Sequence, residues 1–379
     1  MRKTLEKGRG VSDAIGVVLG GPSPEHDVSV LTGLQAAHAL LDRGHEVAAL
    51  YWTKVGEWVS IDPHSEAAAL ADGVPSGAKE LQLVTGRSGG LSRRRLLGGS
   101  TEKLDVVVNC CHGGPGEDGA LQSVLDLAGV RYTGPSRGSA ALGMDKLAFT
   151  AFAKAQGLPT LPQVSYVRTV DQTPPFPAPY MVKPRYGGSS IGIEIVEDVE
   201  SLKALVEHSV HLRDGAVVEP YLPDSDDLNI AIRAFPELEV STIERPLRGD
   251  ESSRFLSFQD KYVGTEGMAS APRELPAVLP DDIAAEIHRA GEIVGRFLPV
   301  RGIVRLDFLR DGSNLYVNEV NTIPGSLAKY LWVDPPRPFH ELLEDMIEEA
   351  RRVPTYRPST EGADGELLRR ASAIAGKLA

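Results

Sequence analysis

Two strand-like segments near the C-terminal end, residues 302–309 and 314–320, constrain the fold more than any other part of the chain. Asp311 and Gly312 lie between them. An Asp-Gly pair between two such segments is a strong short-range signal for a β-hairpin. The sequence therefore predicts two antiparallel strands joined by a tight turn, in which side chains of one strand face those of the other.

Oxygen-bearing side chains are concentrated on this predicted hairpin. Antiparallel pairing brings Asp307 close to Glu319, and the alternation of side chains along a strand puts Glu319 and Asn321 on the same face. Two carboxylates and an amide oxygen beside Arg305 suit Mg²⁺, which prefers hard oxygen ligands and usually shares them with phosphates. A polar strand face with a surface ion pair is the alternative interpretation of this spacing.

The length and charge of the chain limit the classes of protein to be considered. A chain of 379 residues has enough sequence for two or three domains. Its formal net charge of −12 argues against nucleic acid or an anionic membrane as the main partner. No apolar run approaches the length of a membrane span, and residues 1–10 lack the apolar core of a signal peptide. We therefore expect a cytoplasmic enzyme with no nucleic-acid and no membrane partner.

The N-terminal part of the chain has the pattern of a parallel α/β domain. Its short apolar segments are predicted strands: residues 14–19, 46–51 and 104–109. The first strand runs into the glycine loop 20–25 and then into an amphipathic helix, which makes a βαβ unit. Residues 63–99 are loop-rich and poorly patterned. We assign residues 11–135 to this domain.

Two further segments and a tail complete a predicted α/β (α+β) organisation. Residues 136–222 combine a helix at 145–156 with several strands, and residues 223–354 combine strands with a long helix at 281–297. Besides the hairpin, the predicted strands of these segments are residues 180–184, 191–196, 216–221, 228–234 and 240–244. Residues 355–379 are predicted to form a helical tail.

Two lysines occupy positions where a positive charge needs a partner or a ligand. Lys183 ends a predicted buried strand, where a charge is costly unless it meets an anion. The glycine-serine loop 185–190 behind it offers backbone N–H groups that can cover phosphates. Lys146 lies at the start of a helix. The alternatives are a glycine-rich hairpin with a surface lysine, and an exposed lysine in a capped first turn.

Two N-terminal loops carry further polar side chains. Glu25 directly precedes a helix, and His112 and Glu117 lie in a glycine loop that follows a predicted strand. Loops at the C-terminal ends of parallel strands are where α/β sheets bind ligands. Glu25 could equally cap its helix, so both roles stay open for it.

Six motifs in order make the chain resemble the D-alanine–D-alanine ligase family of ATP-grasp enzymes. The resemblance extends from about residue 15 to residue 331. The motifs are GGPSPEHDVS (20–29), HGGPGEDG (112–119) with YTG (132–134), MDK (144–146), VKP (182–184) with GSSIG (188–192), KY (261–262), and RLD (305–307) with NEVNTIPG (318–325).

The resemblance implies a three-domain ATP-grasp fold in which ATP binds between the central and C-terminal domains. In this family the lysines contact phosphates, and here Glu219 would lie on the adenine side and Asp227 on the ribose side. The implied ATP-binding residues are Lys146, Lys183, Ser189, Ser190, Glu219, Asp227 and Lys261. Two Mg²⁺ ions, for which Mn²⁺ could substitute, would be held by Asp307, Glu319 and Asn321.

The reaction implied by the resemblance joins two small-molecule amino acids through an acylphosphate. Glu25 would anchor the ammonium of the first amino acid. Arg305 and the N–H of Gly325 are candidate donors to the oxyanion of the second step. Tyr262 lies in a predicted lid, residues 257–269, that would exclude water from the acylphosphate. The resemblance also suggests a homodimer.

Two positions depart from the family pattern. Phe149 replaces a serine or threonine of the first-substrate site, with Thr150 beside it. Tyr330, five residues after Gly325, replaces a serine that binds the carboxylate of the second amino acid. The candidate substrate-binding residues are His112, Ser326, Lys329, Tyr330 and Leu331. We therefore expect D-alanine–D-alanine ligase chemistry with a divergent second-substrate pocket. The alternative is a ligase of specialised metabolism that uses a different amine acceptor.

Two other classes of function are alternatives to the ligase. A dinucleotide-dependent oxidoreductase would fit the first βαβ unit, but loop 20–25 lacks the G-x-G-x-x-G spacing and carries prolines in place of N–H donors. A catalytically inactive nucleotide-binding regulator is opposed by the presence of both lysines and all three predicted metal ligands.

Overall fold

The computed structural model describes the chain at residues 14–86, 89–93, 101–102, 104–169, 172–247 and 272–370. The predicted lid, with Lys261 and Tyr262, lies outside the described residues, and so does the end of the predicted tail helix. Within the described ranges, no helix is long and apolar enough to cross a membrane.

The N-terminal part is built on a mixed eight-stranded sheet in the order β6-β5-β4-β3-β2-β1-β7-β8. Its strands are β1 (Ile15–Gly20), β2 (Val47–Trp52), β3 (Trp58–Ile61), β4 (Lys79–Val84), β5 (Gly90–Arg93), β6 (Thr101–Glu102), β7 (Val106–Asn109) and β8 (Arg131–Tyr132). Its helices are α1 (His26–Asp42), α2 (Gly114–Glu117) and α3 (Ala120–Ala128). β1 pairs in parallel with both β2 and β7, which confirms the predicted βαβ unit. β1 and β7 are buried along their whole length, as parallel strands usually are.

The prediction that residues 63–99 are loop-rich is wrong. Two antiparallel strands in this range, β4 and β5, extend the sheet beyond β3, and a short 3₁₀ helix covers Ala67–Leu70. Leu81 is the only fully buried residue of β4. A strand that buries so little carries a weak apolar alternation, so its sequence does not distinguish it from a loop.

The central part contains a four-stranded antiparallel sheet in the order β11-β10-β12-β9. It consists of α4 (Arg137–Met144), α5 (Lys146–Ala155), β9 (Val164–Tyr166), β10 (Tyr180–Pro184), β11 (Glu194–Val196), α6 (Val199–His208) and β12 (Ala216–Pro220). Leu202 and Val206 of α6 pack on Val182 and Val218 of the sheet. The strand predicted at residues 180–184 is confirmed with the same bounds.

The C-terminal part contains a second four-stranded antiparallel sheet in the order β14-β13-β17-β18. Its elements are β13 (Asp226–Arg233), β14 (Glu239–Val240), β15 (Arg245–Pro246), β16 (Arg273–Glu274), α7 (Asp281–Phe297), β17 (Ile303–Asp311), β18 (Asn314–Asn321), α8 (Phe339–Arg352) and α9 (Glu366–Arg370). The predicted hairpin is confirmed, because β17 and β18 pair from Asp311 and Asn314 at the turn. The helix predicted at residues 281–297 is confirmed with the same bounds.

The N-terminal and C-terminal parts share one apolar core. It includes Val17 of β1, Leu40 of α1, Leu343 of α8, and the segment Ile323, Leu327 and Leu331 that follows β18. The predicted domain limits at residues 135 and 222 fall between the sheets, and the division into domains stays a prediction. The shared core fixes the loop after β18 against the helix that follows the first glycine loop.

Candidate active site

A cleft of about 880 Å³ lies between the central and the C-terminal sheets. It is lined by seven of the predicted ATP and metal residues, namely Lys146, Lys183, Ser190, Glu219, Asp227, Asp307 and Glu319. Met181, Leu222 and Leu309 add an apolar wall that the sequence analysis did not identify. Nothing in a single apolar residue distinguishes a ligand wall from a core, so the sequence carried no signal for them. A cleft with this mixed apolar and charged lining suits a small-molecule ligand.

Lys183 of β10 is buried between acidic side chains of both sheets. Its ammonium forms an ion pair with Glu219 of β12 and donates to Oδ1 of Asn318 at 3.1 Å. Burial alone would lower the pKa of Lys183, but Glu219 and then Glu319 raise it above its ordinary value. The surface-lysine alternative is therefore wrong, and Lys183 carries its charge at the floor of the cleft.

Lys146, the first residue of α5, faces the hairpin across the same cleft. Its Nζ lies 3.3 Å from Oε2 of Glu319, and its side chain is 9% exposed. Asp145 caps the helix by accepting from the N–H of Leu147, and it also pairs with Arg185 at 2.6 Å. The Asp145–Arg185 pair therefore links the start of α5 to the glycine-serine loop, so that the two lysines and the loop form one basic wall.

The predicted metal ligands converge on the hairpin. Asp307 of β17 lies directly opposite Glu319 of β18, which confirms the prediction that the two residues are close together. Arg305 donates to both carboxylate oxygens of Asp307 at 2.7 Å, and the amide of Asn321 donates to Oδ2 of Asp307 at 3.0 Å. The oxygen ligands are thus gathered on one face, with their charge balanced by Arg305 and Lys146.

A β-bulge explains why Asp307 and Glu319 lie opposite each other. Phe308 pairs with Val317, whereas Asp307 pairs with Glu319, so that Asn318 is an extra residue in β18. An extra residue re-aims the neighbouring side chains of the bulged strand. Asn318 can consequently line the cleft together with Glu319 and reach Lys183. Neither the bulge nor the place of Asn318 in the cleft is predicted from the sequence.

The donor set on the hairpin fits Mg²⁺ that is shared with phosphates. Among the described residues, no cluster of three or more His, Cys, Asp and Glu side chains could hold a metal ion by itself. Asp307, Glu319 and Asn321 supply only part of an octahedral oxygen shell, and Mg²⁺ usually completes such a shell with water and substrate phosphates. These three residues would hold the ion on the hairpin.

A second, smaller cavity of about 330 Å³ adjoins the cleft. The two cavities share Lys146, Gly187, Gly188 and Glu319 in their linings, and the smaller one also contains Glu25 and Glu117. Glu25 precedes α1, but its side chain makes no capping hydrogen bond and instead accepts from the hydroxyl of Ser189. The helix-cap alternative for Glu25 is therefore wrong. Ser189 connects the glycine-serine loop to this smaller cavity.

Glu117 is the second carboxylate of the smaller cavity, and the sequence analysis left it without a role. It accepts from the N–H of Gly113 at 2.9 Å and from the N–H of Ile323 at 2.8 Å. Burial, reinforced by the nearby charge of Glu25, raises the pKa of Glu117 to about 7. A positive group placed between these two carboxylates would favour their ionised forms, so the cavity suits an ammonium. Gly113 has a φ of 63°, in the left-handed region that favours glycine, and a Cβ there would also come within 2.2 Å of a carboxylate oxygen of Glu25.

His112 is buried beside this cavity with both ring nitrogens engaged by the protein. Nδ1 lies 2.6 Å from the carbonyl oxygen of Ile323, and Nε2 lies 2.8 Å from Oγ1 of Thr32. Burial lowers the pKa of His112 to about 4. Its predicted role in substrate binding stays a prediction, and these contacts indicate that it would act by orienting its neighbours.

The segment after Gly325 brings Tyr330 next to Arg305. The phenol oxygen of Tyr330 lies 3.4 Å from Nη1 of Arg305, and the guanidinium of Arg273 lies 4.7 Å from the ring centroid. The ammonium of Lys329 lies over the ring of Phe339 at 4.6 Å, in the shared core. Tyr330 therefore contacts Arg305 of the hairpin, whereas Lys329 contacts the aromatic ring of Phe339.

Phe149, which stands where the family pattern has a serine or threonine, is part of the apolar core. Phe149 is 1% exposed and packs with residues of α7 and β17. The hydroxyl of Thr150 is buried and has no hydrogen-bond partner within the described residues. The hydroxyl of the family pattern is therefore not rebuilt by Thr150 in the part of the chain that the structure describes.

Comparison with known proteins identifies relatives of the whole arrangement. The model of the D-ala D-ala ligase N-terminus matches residues 14–135, and that of the D-ala D-ala ligase C-terminus matches residues 140–348. The D-alanine–D-alanine ligase of Chlorobaculum tepidum is 31% identical over 82% of this chain and 88% of its own length. That of Mycobacterium sp. (strain KMS) is 31% identical over 89% of this chain and 95% of its own length.

Solved structures share the fold. The D-alanine–D-alanine ligase from Helicobacter pylori matches with a TM-score of 0.71 and 24% identity, over 91% of this chain and all of its own. VanG, the D-Ala:D-Ser ligase from Enterococcus faecalis, matches with a TM-score of 0.71 and 24% identity, over 89% of this chain and 99% of its own.

Proposed function

This chain belongs to the D-alanine–D-alanine ligase family, and on that premise we propose that it joins D-alanine to a second amino acid, with D-alanine as the leading second substrate. The chain is an ATP-dependent ligase of the D-alanine–D-alanine ligase type with an ATP-grasp fold. Its substrates are small molecules. The relatives from Chlorobaculum tepidum and Mycobacterium sp. (strain KMS) are D-alanine–D-alanine ligases, and they do not favour the alternative of a specialised-metabolism ligase.

The first proposed step activates the carboxylate of the first amino acid. One carboxylate oxygen attacks the γ-phosphorus of ATP, the bond to the β-phosphate oxygen breaks, and ADP leaves with that electron pair. Lys146 and Lys183 neutralise charge on the phosphates, because such a transfer depends on positioning and electrostatic stabilisation. Glu25 holds the ammonium of the amino acid. The cavity that contains Glu25 adjoins the nucleotide cleft at Lys146, which supports this arrangement.

Several finer roles in the cleft belong to the same proposal. Ser189 and Ser190 of the glycine-serine loop cover the phosphates, Glu219 and Asp227 lie on the nucleoside side, and Lys261 and Tyr262 belong to the lid. Mg²⁺, when bound by Asp307, Glu319 and Asn321, would neutralise phosphate charge. We propose two ions, with Mn²⁺ as a possible substitute. The sharing of one hairpin face by the three oxygen donors supports this assignment.

The second proposed step forms the amide bond. The neutral amine of the second amino acid attacks the acyl carbon, the carbon–oxygen bond to phosphate breaks, and the amine nitrogen loses a proton to solvent or phosphate. Arg305 and the N–H of Gly325 donate to the oxyanion of the tetrahedral intermediate. Ser326, Tyr330 and Leu331 line the position of the second amino acid. Lys329 is a weaker candidate, because its ammonium lies over Phe339.

The observation that carries the proposal is the junction of the two cavities at Lys146, Gly188 and Glu319. This junction would put the carboxylate of the first amino acid next to the γ-phosphate of ATP. The test is Mg²⁺-dependent ADP release with D-alanine alone and then with D-alanine plus a panel of second amino acids, with products identified by mass. Hydroxylamine in place of the second amino acid would trap the acylphosphate as a hydroxamate. No ADP release and no hydroxamate with any amino acid would contradict the proposal.

We predict that Tyr330→Phe impairs use of the second amino acid alone. A tyrosine hydroxyl is protonated at neutral pH and can donate a hydrogen bond, and burial raises the pKa of Tyr330 further above its ordinary value. A hydrogen bond to a charged group contributes about 1.5–3 kcal/mol, so the KM for the second amino acid should rise about 10–100-fold. Hydroxamate formation should be unchanged. Tyr316→Phe, on the same hairpin, is the matched control, and an unaltered second-substrate KM in Tyr330→Phe would refute the assignment.

The proposal also includes the oligomeric state of the protein and its location in the cell. We propose a homodimer, as the family resemblance suggests, and a cytoplasmic location. Sedimentation of the purified chain would test the first, and cell fractionation would test the second.

A further inference from the structure

The segment after Gly325 has a backbone conformation that ordinary residues avoid. Ser326, Leu327 and Ala328 all have φ of 50°, with ψ between 26° and 32°, which makes three successive left-handed residues without a glycine. In this conformation Cβ lies too close to the following carbonyl oxygen, so non-glycine residues adopt it singly. Such strain persists only where the surroundings hold it, and it is concentrated at functional sites.

A threonine of the N-terminal part contacts the beginning of this left-handed turn. Thr32 of α1 is 1% exposed, and its Oγ1 accepts a hydrogen bond from the N–H of Ser326 at 3.0 Å. The same oxygen lies 2.8 Å from Nε2 of His112, whose Nδ1 lies 2.6 Å from the carbonyl oxygen of Ile323. Thr32 and His112 thereby hold the chain on both sides of Gly325.

The hydrogen-bond directions in this group follow from its partners. The carbonyl of Ile323 can only accept, so Nδ1 of His112 carries the hydrogen and Nε2 of the neutral ring accepts. The hydroxyl of Thr32 therefore donates its one hydrogen to Nε2 of His112. A lone pair of the same oxygen then points at the N–H of Ser326 and accepts from it. Loss of the hydroxyl would leave the half-buried N–H of Ser326 and the buried Nε2 of His112 without this partner.

Apolar packing alone does not account for the turn. Leu327 and Ala328 are 1% and 0% exposed in the shared core, but apolar burial is non-directional. It holds the segment in place without determining where its N–H groups point. Two hydrogen bonds give direction to the start of the turn: the N–H of Leu327 donates to the carbonyl of Pro324 at 2.8 Å, and the N–H of Ser326 donates to Thr32. Of these two, the bond to Thr32 ties the turn to the N-terminal part of the chain.

We propose that Thr32 is a positioning residue for the second-substrate half of the site. Its hydroxyl, oriented by His112, holds residues 326–328 in the left-handed turn, and the turn sets the direction of the Gly325 N–H and places Tyr330 beside Arg305. Thr32 itself lines neither the nucleotide cleft nor the cavity that contains Glu25. The inference rests on the proposed function, because it assigns Gly325 and Tyr330 to the second amino acid.

The test compares Thr32→Val with Thr32→Ser. Valine keeps the shape and removes the hydroxyl, and we expect the KM for the second amino acid to rise about tenfold, because buried polar groups lose their partner. Hydroxamate formation and the KM for ATP should stay at wild-type values, since neither depends on the turn. Thr32→Ser keeps the hydroxyl and should restore most of the second-substrate KM. Thr150→Val is the matched control for a valine in place of a buried threonine.

A second variant tests the strain directly. Ala328→Gly removes only a methyl group and relieves the left-handed penalty at that position. In the Thr32→Val background it should recover a substantial part of the lost second-substrate affinity, because a relaxed turn needs less restraint. It also supplies a less strained protein if Thr32→Val alone folds poorly.

The outcomes separate this inference from the proposed function. Equal losses in hydroxamate formation and in dipeptide formation would mean that Thr32 supports only the fold, and this would overturn the inference. An unchanged second-substrate KM in Thr32→Val, or no recovery with Ala328→Gly, would overturn it as well. A wild-type protein that releases no ADP would contradict the proposed function instead.

Discussion

Replacing Lys183 with methionine should reduce the rate of ADP release by about 10²–10³-fold, the loss typical of removing one group that stabilises developing charge. The proposed role of this ammonium is to neutralise the transferred phosphate. The same change leaves Glu219 buried and without its ion pair. Breaking a buried pair on one side costs about 3–5 kcal/mol, so the free energy of unfolding in urea should fall by that amount. Nucleotide affinity, measured by calorimetry, should fall together with the rate.

A double variant separates catalysis from stability at this pair. Lys183→Met combined with Glu219→Gln removes both charges, and it should recover most of the free energy of unfolding because no unpaired charge remains. ADP release should stay low. Lys203→Met, at a partly exposed lysine of α6, is the control and should change neither property. Recovery of activity in the double variant would show that Lys183 serves only to balance Glu219.

Asp307→Asn should reduce kcat by about 10³-fold, comparable to the loss of a charge-stabilising group in phosphoryl transfer. Asp307 has two proposed duties, since it would bind Mg²⁺ and it also holds the fork of Arg305 through both carboxylate oxygens. Asparagine can accept only one of the two hydrogen bonds from Arg305. The Mg²⁺ concentration that gives half-maximal activity should rise at least about tenfold, as metal affinity typically responds to changes near the ligands.

The control for this variant lies on the same strand. Asp311→Asn makes the same chemical change four residues away, at the hairpin turn, and Asn-Gly favours the same turn as Asp-Gly. Activity and Mg²⁺ dependence of this control should match those of the wild type. If Asp307→Asn kept the wild-type Mg²⁺ dependence, the assignment of Asp307 as a metal ligand would be wrong.

The hairpin shows which features of the site can be predicted from the sequence and which cannot. Asp311 and Gly312 predicted the turn, and antiparallel pairing across that turn predicted that Asp307 and Glu319 lie close together, as the structure confirms. A regular ladder from the turn would have placed Asp307 opposite Asn318, and the bulge shifts the partner by one residue. A bulge depends on what packs against the strand, which the local pattern does not contain. Asn318 was therefore missed although its neighbours were identified.

The alternatives left open by the sequence were decided by burial. A lysine after a strand and a glutamate before a helix have equally good surface roles, and only the contacts of Lys183 and Glu25 exclude these roles. The opposite outcome occurred for Lys329, whose charge suggested a carboxylate partner and whose ammonium lies over Phe339. The strand β4 within residues 63–99 was missed for a related reason, since it buries only Leu81 and so leaves no clear apolar alternation in the sequence.

The sequence by itself determined the types and order of the main elements, the hairpin and the family, because turn chemistry and apolar periodicity act between residues a few positions apart. Only the tertiary structure decided which charges meet and how the segment after Gly325 is held. Thr32 and Ser326 are separated by 294 positions. A left-handed turn of three ordinary residues contradicts their local preference, and it persists only because a distant hydroxyl and a shared core hold it.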